Sequence, residues 1–154
     1  MPRPAYITFS QSGAVDQYTN RTSVFDLIES LEVMKTPSDE SSPKIRKVNK
    51  HWIFCAWMKD AKDRDDDVFE ILVSCIGPDG TEVFSGEPVP FSFGKDIWFF
   101  RLTVPDFEIA GYPHLGTYVV EGKIRKAGEK EWFATQEYPF HVREKPTDGP
   151  DVPQ

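Results

Sequence analysis

Alternation between apolar and polar residues recurs along most of this chain, and it constrains the fold more than any other feature of the sequence. Successive side chains of a β-strand point to opposite faces of a sheet, so alternation predicts strands that bury one face. The segment 68–77 shows the pattern most clearly, with an apolar residue at every second position: Phe69, Ile71, Val73 and Cys75. The polar residues Glu70 and Ser74 lie between them. We therefore expect a chain built mainly of strands.

Gly, Pro and Asp residues that favour turns separate these segments. We predict strands over residues 5–10, 22–34, 51–59, 68–77, 81–85, 97–104, 116–126 and 131–143. Many short strands at regular spacing are typical of a sandwich of two sheets. The predicted fold class is therefore all-β: an antiparallel β-sandwich of about eight strands, either immunoglobulin-like or C2-like.

One of these segments also fits a helix. The apolar residues of 24–34 have the spacing of an amphipathic helix as well as that of a strand: Val24, Leu27, Ile28, Leu31 and Met34. We favour a strand here.

Turn residues predict how some strands are connected. Gly77-Pro78-Asp79-Gly80 is expected to close a hairpin, because Pro fixes φ at the first turn position and Gly accepts the left-handed conformation. Residues 126–130 are expected to close a second hairpin, and a third is predicted around Asp63, between 51–59 and 68–77.

The third hairpin would place the two cysteines, Cys55 and Cys75, several residues apart along the ladder. That separation exceeds the reach of a disulfide. We predict two free, buried thiols.

Length and charge limit the organisation and the partners of the chain. With 154 residues, we expect one domain over residues 1–144, containing a long polar loop at 36–50, and a disordered Pro-rich tail at 145–154. The longest apolar runs are far below the roughly 20 residues of a membrane span, and the absence of a signal sequence predicts a cytoplasmic protein. The net charge of −7 disfavours binding to nucleic acid.

An acidic stretch at 60–67 is the sharpest local feature. Its carboxylates are candidate ligands for Ca²⁺, which prefers several closely spaced oxygens: Asp60, Asp63, Asp65, Asp66 and Asp67. An EF-hand would require Gly and Glu where the chain has Val68 and Ser74, so the sequence favours a solvated turn and predicts no bound cofactor.

Nothing in the sequence predicts catalysis. The three histidines, His51, His114 and His141, lie outside any recognisable nucleophile or metal motif. We expect a protein that is not an enzyme, and an enzyme of unrecognised type ranks third among the functions considered.

Aromatic residues are the candidate contact residues. Trp52 and Trp57 have opposite parity within one predicted strand, so at least one of them is expected outside the core. In the strand 97–104, the face predicted inside the core carries Trp98 and Phe100, whereas Phe99 lies on the other, nominally polar face. Trp52, Trp57 and Phe99 are therefore the predicted contact residues.

Several segments resemble an uncharacterised family of small bacterial β-sandwich proteins, known only as a domain of unknown function. The resemblance lies in Tyr6-Ile7-Thr8-Phe9, Ser23-Val24-Phe25-Asp26-Leu27-Ile28, Gly77-Pro78-Asp79-Gly80, Pro105-Asp106-Phe107 and Leu115-Gly116-Thr117-Tyr118. It covers most of residues 5–143 and implies a strand at 24–34. It implies no activity and no functional residue.

These observations favour a non-catalytic module that binds a protein partner or a second copy of itself through a sheet face or edge. The alternative is a sandwich that binds calcium through the acidic stretch, or carbohydrate through an exposed Trp.

Overall fold

The computed structural model describes residues 1–16, 22–33, 51–107, 112 and 114–144. In these ranges the chain forms ten strands: β1 (Arg3–Val15), β2 (Thr22–Leu27), β3 (Ser30–Val33), β4 (His51–Met58), β5 (Phe69–Ile76), β6 (Glu82–Ser85), β7 (Val89–Phe91), β8 (Phe99–Phe107), β9 (Gly116–Lys126) and β10 (Phe133–Glu144). A search of the same residues found no helix with the length and hydropathy needed to cross a bilayer. The predicted loop at 36–50 and tail at 145–154 lie outside the described residues.

The strands form two sheets, as the alternation predicts. Sheet A has the order β2-β1-β4-β8, and sheet B has the order β3-β10-β9-β5-β6, with β7 also paired to β5. Every pair is antiparallel except β3 with β10. The prediction of an all-β sandwich is confirmed.

The core lies between the sheets. Sheet B contributes the four predicted residues of β5, all buried, and the fully buried Tyr118, Val120 and Ile124 of β9. Sheet A contributes Ile7, Phe9, Ile53, Cys55 and Trp57. Burying one large apolar side chain stabilises a fold by about 1.5–3 kcal/mol, so these alternating faces account for the formation of two packed sheets.

Two of the three predicted hairpins are present. The turn at 77–80 joins β5 to β6, with the Gly80 N–H donating to the Gly77 carbonyl at 3.0 Å. The turn after Lys126 joins β9 to β10, with the Glu129 N–H donating to the Lys126 carbonyl at 3.0 Å.

The prediction of a third hairpin, around Asp63, was wrong. β4 pairs with β1 and β8 in sheet A, whereas β5 belongs to sheet B, so the acidic segment between them crosses from one sheet to the other. Both strands bury alternate side chains in the shared core. Two strands in opposite sheets, facing each other across the core, fit this alternation as well as two strands paired in a hairpin. Cys55 and Cys75 are free and buried, as predicted, but they lie in opposite sheets.

The described part of the segment predicted as one strand at 22–34, residues 22–33, changes sheet, and Met34 lies outside the described residues. β2 pairs antiparallel with β1, and β3 pairs parallel with β10. Asp26 adopts a left-handed φ of 54°, and the crossing follows at Ile28, which is 3% exposed. The Ile28 N–H donates to the Phe9 carbonyl and the Glu29 carbonyl accepts from the His141 N–H, each at 2.9 Å, so the crossing is bonded to both sheets.

A tyrosine anchors the start of β9. The Tyr118 hydroxyl donates to the His114 carbonyl at 2.8 Å and accepts from the His114 N–H at 3.2 Å. This bond to backbone a few residues upstream is the tyrosine corner of sandwich folds. Gly116, at a φ of 134°, packs so closely on Pro78 that a Cβ would lie 3.0 Å from the proline ring. The corner therefore holds the start of β9 against the β5–β6 turn.

Candidate interaction surface

The two outer faces of the sandwich differ in chemistry. On sheet B, Arg125 Nε lies 2.5 Å from Glu70 Oε2, and Lys123 Nζ lies 2.9 Å from Glu121 Oε2. The buried Ser74 hydroxyl donates to the same Glu121 carboxylate at 3.4 Å. These four charges of the outer face are therefore already paired within the chain.

The outer face of sheet A is apolar and aromatic. Strand register places Thr8 beside Phe54 and Ser10 beside Trp52, and on the other side of β4 it places Phe99 beside Met58. Residues in register share a face, so one side of sheet A carries these apolar side chains: Tyr6, Phe25, Leu27, Trp52, Phe54, Ala56, Met58 and Phe99. Phe54 and Ala56, at the centre of this face, are buried. We call this surface the sheet A outer face.

Packing fixes much of this surface. The Trp52 and Phe54 rings stack with centroids 5.7 Å apart, and Gly13 lies directly on the Phe54 ring, where a Cβ would come within 2.1 Å of it. A rigid aromatic surface loses little conformational entropy when it binds.

The rims of the sheet A outer face are more open. At the β2 edge, Phe25 and Leu27 are 52% and 54% exposed. At the β8 side, the half-buried Phe99 ring lies 6.3 Å from that of Tyr6, and the Arg101 guanidinium lies 4.9 Å from the Phe99 centroid. The arrangement offers apolar contact area with the Arg101 guanidinium at its border.

The predicted contact residues lie in different places. Trp52 and Phe99 are half-buried on the sheet A outer face. Trp57 points the opposite way, as its parity predicts, and is fully buried in the core. It therefore has no accessible surface with which to bind a partner.

Sequence reasoning placed Trp98 inside the core, and that was wrong. β8 begins one residue later, at Phe99, and Trp98 is 64% exposed in the preceding turn. Lys59 Nζ lies 5.7 Å from its ring centroid. A carbohydrate-binding role would therefore depend on the Trp98 ring rather than on Trp57.

The acidic stretch at 60–67 is neutralised by cations of the chain. Each candidate carboxylate has its own partner: Asp60 has Arg3 Nε at 3.5 Å, Asp63 the Met1 amino group at 2.6 Å, Asp65 the Lys59 ammonium, Asp66 Arg64 Nε at 3.3 Å, and Asp67 Lys126 Nζ at 2.7 Å. A calcium ion there would have to displace these cations.

Two of these carboxylates also bind the backbone of their own loop. Asp63 Oδ2 accepts from the Asp60 N–H at 2.9 Å, and Asp67 Oδ2 accepts from the Arg64 N–H at 3.0 Å. The bonds from Lys126 and from the Arg64 N–H lower the pKa of Asp67. Over the described residues, no three His, Cys, Asp or Glu side chains form a group suited to a metal ion. These bonds stabilise the segment that connects the two sheets.

The histidines occupy different environments. His51 is 1% exposed in the core. His114 Nε2 lies 3.5 Å from Asp79 Oδ2, and both side chains are exposed. His141 Nδ1 lies 3.4 Å from the Thr117 hydroxyl. The sequence did not predict the contact between His114 and Asp79, which depends on the tyrosine corner bringing β9 to the 77–80 turn.

Comparison with known proteins found little. No family model matches the chain, and no curated protein matches it. Among solved structures, the chain is similar to an immunoglobulin-like protein from Pseudomonas aeruginosa, with a TM-score of 0.41 and 10% sequence identity over 93% of this chain and 97% of that one.

Proposed function

We propose that this protein is a non-catalytic module that binds another protein through the sheet A outer face. The observation that supports this most directly is the contrast between the two outer faces. Sheet B presents paired charges, such as Arg125 with Glu70, whereas sheet A presents Trp52, Phe99 and the exposed Phe25 and Leu27. Phe54 and Ala56 at the centre of the face are buried, so its exposed apolar area lies at the rims. Exposed apolar patches mark interaction sites.

The composition of the sheet A outer face suits a protein partner. Interface cores are rich in Trp, Tyr, Phe, Met and Arg and poor in Lys, Glu and Asp. The sheet A outer face has Trp52, Tyr6, Phe99 and Met58, with Arg101 beside them. We expect Trp52 to contribute most of the binding energy, because truncating a few central aromatic residues usually costs most of it.

A photo-reactive phenylalanine analogue in place of Trp52 tests this assignment. Irradiation in an extract of the native organism should give adducts of discrete mass. The same analogue in place of Lys123, on the outer face of sheet B, is the matched control and should give none of them. Identical adducts from both positions would contradict the proposal.

The captured protein is then purified and titrated against the chain. We expect Trp52→Ala to weaken binding at least about 10-fold, and Lys123→Ala to change it by less than about 2-fold. Thermal unfolding of both variants verifies that they are folded. Equal affinities for wild type and Trp52→Ala would overturn the proposal.

A further inference from the structure

In the described part of the chain, β8 forms an open edge of sheet A. It pairs with β4 on one side and forms the end of sheet A on the other. β8 has 9 residues, whereas the edge strands β2, β3, β6 and β7 have 6, 4, 4 and 3. β2 is also interrupted by the charged Asp26 in its left-handed conformation. Over the described residues, β8 offers an edge that is uninterrupted from Phe99 to Val104.

The backbone groups on that open edge can be identified. The Lys59 N–H donates to the Trp98 carbonyl at 3.0 Å, so residue 98 points its polar groups at β4. Direction alternates along an antiparallel strand, and the register from Trp57–Phe100 to Ile53–Val104 is continuous. Phe99, Arg101 and Thr103 therefore point their N–H and C=O groups away from β4. Pro105 has no N–H and ends the edge.

Side chains along this edge are incompletely covered. Phe100, Leu102 and Val104 face the core but are only half-buried, because β8 lies at the rim of the sandwich. Phe100 stacks on Phe91 of sheet B with centroids 4.0 Å apart. An added strand would extend this packing and satisfy the backbone groups at the same time.

Between Phe99 and Val104 the edge lacks most of the usual protection against pairing, which begins with Pro105 and the register shift beyond Val104. Natural edges are blocked by Lys, Pro, bulges or charged side chains. Between Phe99 and Val104 the only charged residue is Arg101, whose guanidinium already lies 4.9 Å from the Phe99 centroid.

The side chains suit a second copy of this chain. In an antiparallel pair with two-fold symmetry about Phe100, Phe99 lies opposite the partner's Arg101, and Arg101 lies opposite the partner's Phe99. This arrangement repeats the cation–aromatic contact twice across the interface. Symmetry about Arg101 would instead place two like charges directly opposite each other, which destabilises a sheet.

We infer that two copies of this chain pair edge to edge through β8, with Phe100 on the two-fold axis and Phe99 opposite the partner's Arg101. The pairing joins two copies of sheet A into one continuous eight-stranded sheet. This inference rests on the proposed binding role of sheet A and names a second copy of the chain as one partner.

Light scattering of the full chain over a range of concentrations is the first test. We expect twice the mass of the 17.6 kDa chain. Arg101→Glu should return the mass to that of a monomer. Lys130→Glu, the same change of charge at an exposed turn outside sheet A, should leave the dimer intact. A wild-type monomer at every concentration would overturn the inference.

A cross-link tests the register. Phe100 and the partner's Phe100 form a pair without mutual hydrogen bonds, with Cα atoms about 4.5 Å apart, which a disulfide can span. Under mild oxidation, Phe100→Cys should form a covalent dimer. Leu102→Cys, on the same face of the same strand, should not. A dimer that cross-links only through Leu102→Cys would overturn this register.

The two proposals can fail separately. A monomer overturns β8 pairing, while specific cross-linking from position 52 to a different protein would still support the binding role. A dimer without any adduct from position 52 supports β8 pairing and contradicts the sheet A outer face as the surface for another protein.

Discussion

At the scale of single residues, His51 occupies the least expected environment. Its side chain is 1% exposed, and its ring packs edge-on against Phe9 with centroids 4.9 Å apart. Neither ring nitrogen has a hydrogen-bond partner among the described residues. Burial lowers the pKa of His51 from 6.5 to about 4. The imidazole therefore remains neutral in the folded protein at neutral pH.

This environment predicts a pH dependence of stability. Between pH 6.5 and pH 4 the unfolded chain binds a proton at His51 and the folded chain does not, so the free energy of unfolding falls as the pH falls. The difference between the pKa values of His51 in the unfolded and folded chain corresponds to a total loss of about 3 kcal/mol in the free energy of unfolding. His51→Leu removes this loss, and urea unfolding at pH 7 and pH 4.5 should show a flatter dependence for the variant than for wild type.

His141→Leu is the matched control, because that imidazole is exposed beside Thr117. It should keep the wild-type pH dependence. Carboxylates with lowered pKa values, such as Asp67 and Asp79, lose their contributions at low pH in all three proteins and cancel in the comparison. Parallel curves for wild type and His51→Leu would contradict the predicted role of burial.

The alternation of side chains along a strand predicted which face Trp52 and Trp57 occupy but not the exposure of Trp98. Opposite parity correctly placed Trp52 and Trp57 on opposite faces of β4, because alternation within a strand is local geometry. The exposure of Trp98 was missed, because it depends on β8 beginning at Phe99. A strand end is set by where hydrogen bonding to β4 stops, and the sequence near it carries no comparable signal.

At the scale of elements, the segment 22–34 shows what local pattern cannot specify. Alternation and the family resemblance both predicted extended structure there. The change of sheet at Ile28 depends on backbone bonds to Phe9 and His141, which are remote in sequence. The same limit applies to the loop at 60–67, where turn chemistry alone did not distinguish a hairpin from a crossing between sheets.

Two adjacent residues test the crossing. Ile28 is 3% exposed, whereas Leu27 is 54% exposed on the outer side of β2. We expect Ile28→Ala to lower the free energy of unfolding by about 2–4 kcal/mol, since it opens a cavity in the core. Leu27→Ala should cost less than about 1 kcal/mol. Denaturant unfolding measures both, and similar losses would show that the chain does not cross into the core at Ile28.

At the scale of the whole molecule, the sequence predicted the architecture better than the proposed binding surface. Two sheets around one core follow from alternation, because an apolar face must be covered. Which outer face carries the aromatic side chains depends on pairings between remote strands. Glu70 and Arg125 in sheet B are paired because register brings them side by side. The aromatic residues of sheet A form one surface only because β1, β4 and β8 are neighbours.

A single core shared by both sheets predicts one cooperative unfolding transition, and the cysteines report on it. Cys55 lies in sheet A and Cys75 in sheet B, and both are buried in the same cluster. Burial raises the pKa of Cys75 to about 12 and that of Cys55 higher still, so neither thiol ionises or reacts in the folded chain. A short pulse of thiol reagent at increasing urea should therefore yield molecules with no label or two labels by mass spectrometry.

Leu27→Cys adds an exposed thiol that should react without urea and serves as the control for the reagent. A large population with a single label would mean that one sheet opens before the other, because a cooperative core cannot expose Cys55 without Cys75.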